Sequence, residues 1–242
     1  MFLIVTRNFP PDIGGMQVLM GGLSESLLNH GPVKVFTYEY ENSNIYDNKS
    51  GADIDRVKGI KLFRKYRKAN LVNNFINSNS NIRALIVDHW KSLELIKTKK
   101  KKICLIHSKE INHKNGTSLN KRVLKVLSET DNIVSNSKYT KNLAINCGVE
   151  EEKIIVINPG VDSVEEIKKE NLDKAEKFLK NKKPRLITVA RYDKRKNHEK
   201  IIMALKNLKQ IYPNIIYCCV GYGEEEENIK KLVKELNLEN QV

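Results

Sequence analysis

Short apolar runs alternate with stretches of helical spacing along most of the chain. FLIVT opens the pattern and predicts a strand. A helix is predicted from Met16 to Leu28, followed by strands at VKVFTY and GIKLF, and LVNNFI again has helical spacing. ALIVDHW, KICLIHS, NIVSNS and KIIVIN read as further strands, with helices around RVLKVL and TKNLAI. After a polar stretch the pattern restarts with RLITVA, a buried strand by its apolar content. A helix follows in which Ile201, Ile202, Leu205 and Leu208 share one face, then NIIYCCVG, then another helix. Such alternation predicts an α/β protein, with parallel sheets carrying helices on both faces. Ligands of such sheets bind at the carboxyl ends of the strands, so the loops after the strands are the place to look for chemistry.

The stretch SVEEIKKENLDKAEKFLKNKK is highly charged and reads as a connecting helix plus linker. It divides the chain into two Rossmann-like domains, 1–165 and 166–242. The second has only two clear strands, too little sheet to stand alone, and is expected to be incomplete.

Charge and cysteines change this picture little. The formal net charge is +14. Lysine and asparagine recur throughout (NNFINSNSNI, KTKKKK), which fits a solvated lysine surface better than one binding face. Basic and aromatic residues are not interleaved as single-strand binders require, so nucleic acid is not an expected partner. The segment TSLNKRVLKVLSE carries Lys121, Arg122 and Lys125 beside apolar residues, which suits peripheral contact with an anionic membrane. Cys104, Cys147, Cys218 and Cys219 form no CxxC, and are expected to be reduced, buried thiols rather than zinc ligands. The opening MFLIVTR is too short for a signal-peptide core and no run approaches a transmembrane span, so the expected location is cytoplasmic.

Three loops carry candidate chemistry. In FPPDIGGMQ, Pro10 and Pro11 are expected to hold the chain extended. Gly14 and Gly15 strip side chains from the start of a helix, so that a ligand can reach backbone N–H groups. This is not GxGxxG, which argues against a dinucleotide-dependent oxidoreductase. VGYGEEEE reads as a turn into an acid-capped helix. In RYDKRKNHEK, Arg191 and Lys196 bracket a loop between a strand end and a helix start, with Asn197 at the N-cap position. Two cations and a helix N-terminus suit a diphosphate; a purely structural charged loop is the competing reading. No carboxylate pair of DxD type lies in a loop suited to hold a metal.

Taken in order, these stretches resemble the family-4 glycosyltransferases of the GT-B fold, two Rossmann-like domains around a cleft. FPPDIGGMQ resembles the family's glycine loop. ALIVDHWKS and LIHSKEI resemble its central strands, with His107 and Glu110 in an H-x-x-E pattern and Ser108 where glycine is usual. Residues 134–162, VSNSKYTKNLAINCGVEEEKIIVINPGVD, are the most specific stretch, ending in the interdomain crossing NPGVD. TVARYDKRKNHEKII fits the family's arginine-to-lysine spacing, and CVGYGEEEENIKKLVKEL fits the strand and helix after it.

The resemblance implies transfer of a hexosyl-type sugar from a nucleotide-sugar donor to a hydroxyl of a sugar or lipid-linked acceptor of the cell envelope. It implies retention of configuration, with no cofactor and no obligatory metal. Arg191 and Lys196 would bind the donor diphosphate and stabilise it as it leaves. Gly14 and Gly15 would bring amides to the phosphate, and His107 and Glu110 would contact sugar or acceptor. The family's paired glutamates of a later helix are expected beyond Val242, since Glu227 and Glu235 lie on the helix after GYG and read as surface. A C-terminally truncated enzyme is therefore expected. The alternative is a non-catalytic nucleotide-binding or partner-docking fragment.

Overall fold

A computed structural model describes residues 1–161 and 166–242. The chain forms two compact units, Met1–Asp162 and Ser163–Val242. The boundary expected after residue 165 and the Asp162 end of NPGVD lie outside the described residues.

In the first unit the apolar runs become parallel strands because they are buried on both faces. β1 (Phe2–Val5), β2 (Val33–Tyr38), β3 (Asp53–Val57), β4 (Ala84–Val87), β5 (Lys102–Ile106), β6 (Asn132–Ser135) and β7 (Ile154–Val156) form one sheet in the order β3-β2-β1-β4-β5-β6-β7. Every pairing is parallel. Successive residues point to opposite faces. Leu3 and Val5 of β1 therefore join one apolar cluster, which includes Val72, Trp90, Val123 and Leu127. Ile4 between them joins another, with Met20, Val35 and Ile86. α1 (Gly15–Leu28) covers the second face; α3 (Arg64–Ser78) and α5 (Ser118–Ser128) cover the first. The short helices α2 (Ser43–Asp47) and α4 (Trp90–Leu93), and α6 (Lys138–Asn146), complete the unit.

The expected strand GIKLF is not formed. Those residues turn into α3, and Ile60, Leu62 and Phe63 are exposed. The edge strand is DIDRV instead, whose polar residues are paired on both of its faces. Lys34 of β2 reaches Asp53 at 2.8 Å and Asp55 at 3.0 Å, and Arg56 reaches Asp47 at 2.7 Å. An edge strand with one wet side need not be apolar.

In the second unit β8 (Arg185–Val189) and β9 (Ile216–Val220) pair in parallel. Ile202 and Leu205 of α8 (His198–Ile211) pack with Tyr217 of β9 and with Ile229 and Val233 of α9 (Glu226–Glu235). α7 (Lys169–Phe178) buries no residue. Contrary to expectation β8 is not buried: Ile187 is 68% and Val189 74% exposed, because no described element packs over them. Cys218 and Cys219 are accordingly only half-buried, unlike Cys104 and Cys147.

Gly221 and Gly223 do more than turn the chain. Their φ values are +157° and +155°, and a Cβ on Gly221 would lie 1.9 Å from the Ala190 carbonyl oxygen; one on Gly223 would lie 2.4 Å from that of Tyr192. Gly221→Ala should destabilise the second unit by about 3 kcal/mol through backbone displacement. Gly15→Ala meets nothing within 4 Å and should be neutral or stabilising by up to ~1 kcal/mol. Amide exchange in β9 measures the first, and urea unfolding the second.

Candidate functional site

The strand order reverses between β1 and β4, which places a crevice at their carboxyl ends. The residues just past these strands are tied to one carboxylate. Asp88, buried, accepts from the Arg7 backbone N–H at 2.9 Å and Asn8 Nδ2 at 3.1 Å through Oδ2. Its Oδ1 accepts from Ser92 Oγ at 3.2 Å. Lys68 of α3 donates to the Thr6 carbonyl at 2.6 Å, and its ammonium lies 4.0 Å from the Tyr38 ring centroid. Burial pulls the Lys68 ammonium down to about 7, against the pull of Asp88.

At the end of β5, Glu110 folds back and its carboxylate accepts the backbone N–H of His107. The indole N–H of the fully buried Trp90 donates to the Glu110 carbonyl at 2.8 Å, so β4 and β5 loops are joined. Ser108 has φ +108°, a conformation that favours glycine, which explains why glycine suits this position. Burial lowers the His107 imidazole below its ordinary value, with Glu110 and Asp88 opposing, and its Nε2 has no hydrogen-bond partner among the described residues. His107 thus offers a neutral imidazole, while one oxygen of Glu110 is committed to shaping the loop. His89, given no role from sequence, caps α4: its Nδ1 accepts from the Lys91 N–H at 3.0 Å.

Gly14 and Gly15 lead into α1 at the same end of the sheet. Gly14 is extended and no side chain caps the helix. The preceding loop is not extended as expected but turns at Pro10–Pro11. Pro10 can fold back because Gly21 of α1 is bare; a Cβ there would lie 2.8 Å from Pro10 Cγ. Arg56 Nη2 holds the Pro10 carbonyl at 2.5 Å.

The cationic loop belongs to the second unit. It leaves β8 through Arg191 and makes a 3-10 turn over Lys194–Lys196 before α8. Asn197 occupies the N-cap position in the left-handed region, and its side chain makes no capping bond, so it turns the chain rather than closing the helix end. Arg191 and Lys196 are exposed. The loop is fastened by backbone bonds from Tyr192 N–H to the Tyr222 carbonyl at 2.9 Å and from Glu225 N–H to the Tyr192 carbonyl at 3.0 Å. Beneath it stands a hydrogen-bonded post that sequence reading missed. Tyr192 meets the His198 ring edge-on at 5.1 Å, His198 Nδ1 lies 3.0 Å from Tyr217 Oη, and Tyr217 donates to Thr188 Oγ1 at 2.9 Å. Burial pushes the Tyr217 phenol up to about 12. The signal for this post was the aromatic and histidine at buried positions on either side of a charged run.

Glu227 and Glu235 lie on the solvent face of α9, near Lys230 and Lys231. Arg122 is not free for lipid as expected, because it grips both oxygens of Glu94 at 2.7 and 2.8 Å. Among the described residues no cluster of three or more His, Cys, Asp or Glu is placed to hold a metal ion, and no helix is long and apolar enough to cross a membrane.

A seven-stranded parallel unit followed by a Rossmann-like unit, represented here by two strands, is the architecture of a GT-B glycosyltransferase. The model of Glycosyltransferase Family 4 matches residues 13–165, and that of Glycosyl transferases group 1 matches residues 169–242. The chain belongs to glycosyltransferase family 4. Among solved structures, Anabaena HepE in complex with UDP has a TM-score of 0.78 at 14% identity, over 100% of this chain and 67% of its own. A glycosyltransferase from Rickettsia africae has a TM-score of 0.74 at 18% identity, over 99% and 66%. The lipopolysaccharide-biosynthesis glycosyltransferase WaaG has a TM-score of 0.67 at 14% identity, over 100% and 69%. These likenesses concern the fold. An uncharacterized glycosyltransferase of Methanocaldococcus jannaschii, MJ1069, is 35% identical over 108 residues, 44% of this chain and 27% of that protein. The match thus spans about a quarter of that relative, and the chain spans about two thirds of the solved structures.

Burial lowers the His89 imidazole from 6.5 to about 3, aided by the nearby Arg7 and Lys91. The neutral form is the one the fold prefers, so its contribution is complete above pH 6.5 and is lost as pH falls toward 3. His89→Asn keeps a capping side chain and removes this titration. Between pH 7 and pH 5 the wild type should lose about 2 kcal/mol more unfolding free energy than His89→Asn, read by urea denaturation at both pH values.

Proposed function

We propose that this chain carries the acceptor side and the diphosphate-binding loop of a retaining glycosyltransferase, one that moves a hexosyl group from a nucleotide-sugar to a hydroxyl of a sugar or lipid-linked envelope acceptor. The carrying observation is the Arg191–Lys196 loop, set at the end of β8 and braced by Gly221 and Gly223. That HepE was solved with UDP and with UDP-glucose supports a nucleotide-sugar donor. In this reading the protein works in the cytoplasm, with Lys121 and Lys125 touching anionic lipid at the membrane's inner face.

The donor's diphosphate gains negative charge as the glycosidic C–O bond breaks. Arg191 and Lys196 neutralise that charge, and the uncapped N-terminus of α8 adds its positive dipole end. These cations do the work for which a metal is otherwise used, so none is required. His107, held neutral by burial, contacts the transferred sugar in this reading. Glu110 sets the His107 loop and contacts sugar or acceptor through its remaining oxygen. The bare backbone at Gly14 and Gly15 lets the phosphate and acceptor approach the amides of α1.

In the full-length protein Lys196→Ala should lower kcat/KM by about 10²–10³, measured as sugar transfer at steady state. An unchanged rate removes Lys196 from the mechanism. Donor binding by calorimetry without any turnover points instead to a non-catalytic nucleotide-binding fragment.

A further inference from the structure

A cavity of about 350 Å³ opens in the first unit beside the carboxyl ends of β1 and β2. Arg7, Lys61, Arg64, Lys65, Lys68 and Lys91 all line it. Arg122 also lines it, but is matched by Glu94, the only acid on the wall. Among the described residues none of the other six cations has a carboxylate within ion-pair distance. Asp88 acts on Lys68 from behind the wall, where its oxygens already serve Arg7, Asn8 and Ser92.

Three of these cations, Lys68, Arg64 and Lys91, are held against other groups. Lys68 is 4% exposed and anchored on the Thr6 carbonyl. Arg64 and Lys68 both lie against the Tyr38 ring, at 4.1 and 4.0 Å from its centroid, and Lys91 lies against Trp90 at 5.2 Å. Like charges gathered at a concave surface repel one another, and a multiply charged anion relieves that repulsion. The mutual field is visible at Lys91, whose ammonium is lowered by burial and by Arg7 and Arg122.

We infer that this cavity binds a phosphate monoester or diphosphate, and that the acceptor of the proposed sugar transfer bears this group. The second half of the inference rests on the function proposed above; the first half does not. The donor's own diphosphate is assigned to a different unit of the chain, so the two sites can be separated by substitution.

Arg191→Gln with Lys196→Gln removes the donor-side cations and provides the background. Titration of that full-length variant with inorganic pyrophosphate, by calorimetry at low salt, should show one binding site. Adding Arg64→Gln and Lys91→Gln should weaken it at least tenfold. Adding Lys99→Gln and Lys200→Gln, exposed lysines outside the cavity, should leave it within about twofold. Circular dichroism confirms that each variant is folded. Absence of pyrophosphate binding in the background variant overturns the inference. So does equal binding after the cavity substitutions, or equal weakening by the control pair. UDP binding to wild type against the background variant judges the donor reading separately. Flotation with phosphatidic acid and phosphatidylcholine vesicles identifies the source of the phosphate. Co-flotation lost on Arg64→Gln and Lys91→Gln assigns it to a lipid headgroup; pyrophosphate binding without co-flotation assigns it to a water-soluble ester. Both outcomes support the cavity.

Discussion

One buried carboxylate organises the first unit. Asp88 sits where the strand order reverses, and a charge so buried is stable only when its oxygens are well supplied with donors. Its three donors come from two loops, Arg7 and Asn8 after β1 and Ser92 of α4. The loop leading to Gly14 and the start of α4 are thereby fixed to each other. From α4 the constraint runs on: Trp90 holds the Glu110 carbonyl, and the Glu110 carboxylate holds the His107 amide. The position of the histidine therefore depends, through two further residues, on an aspartate that offers a ligand nothing itself.

Sequence made the central strands legible for a physical reason. Parallel strands covered on both faces must be apolar throughout, so FLIV, ALIV and KICLI announce themselves. The same rule hid β3, whose aspartates are satisfied by Lys34 from one side, and promoted GIKLF, whose apolar residues point to water. It also misjudged β8, where apolar content was taken for burial. The resemblance located the glycine loop, the H-x-x-E turn and the Arg191–Lys196 pair. It did not reveal what holds them. Asp88, Lys68 and His198 act through contacts between residues far apart in sequence, and no local pattern encodes those. Position alone hinted at Asp88, the first polar residue after a fully buried strand.

The two units support their loops in chemically different ways. The second unit places Tyr192, His198, Tyr217 and Thr188, none of them a carboxylate, under its cations. A carboxylate there would cancel part of the charge meant for a diphosphate. Within the loop Asp193 approaches Arg195 at a loose 3.8 Å, which is worth little. Glycines complete the support, because Gly221 and Gly223 let the neighbouring backbone close on Ala190 and Tyr192. Rigidity at the base of the loop is thus supplied by backbone contact and by hydrogen bonds among Tyr217, His198 and Thr188.

Ser108 shows how closely the first unit constrains its own loop. A residue with a Cβ at φ +108° costs on the order of 1–3 kcal/mol relative to a relaxed conformation. Nothing about serine favours that φ, so the surroundings must impose it. The Ser108 carbonyl accepts from both Ile111 at 3.2 Å and Asn112 at 3.0 Å, and Ile111 is fully buried. On either side, His107 is pinned by Glu110 and Glu110 by Trp90. Relaxing Ser108 would break this set of bonds and withdraw Ile111 from the core. The strain is therefore retained, and it keeps the His107 imidazole at the strand end with its Nε2 unspent.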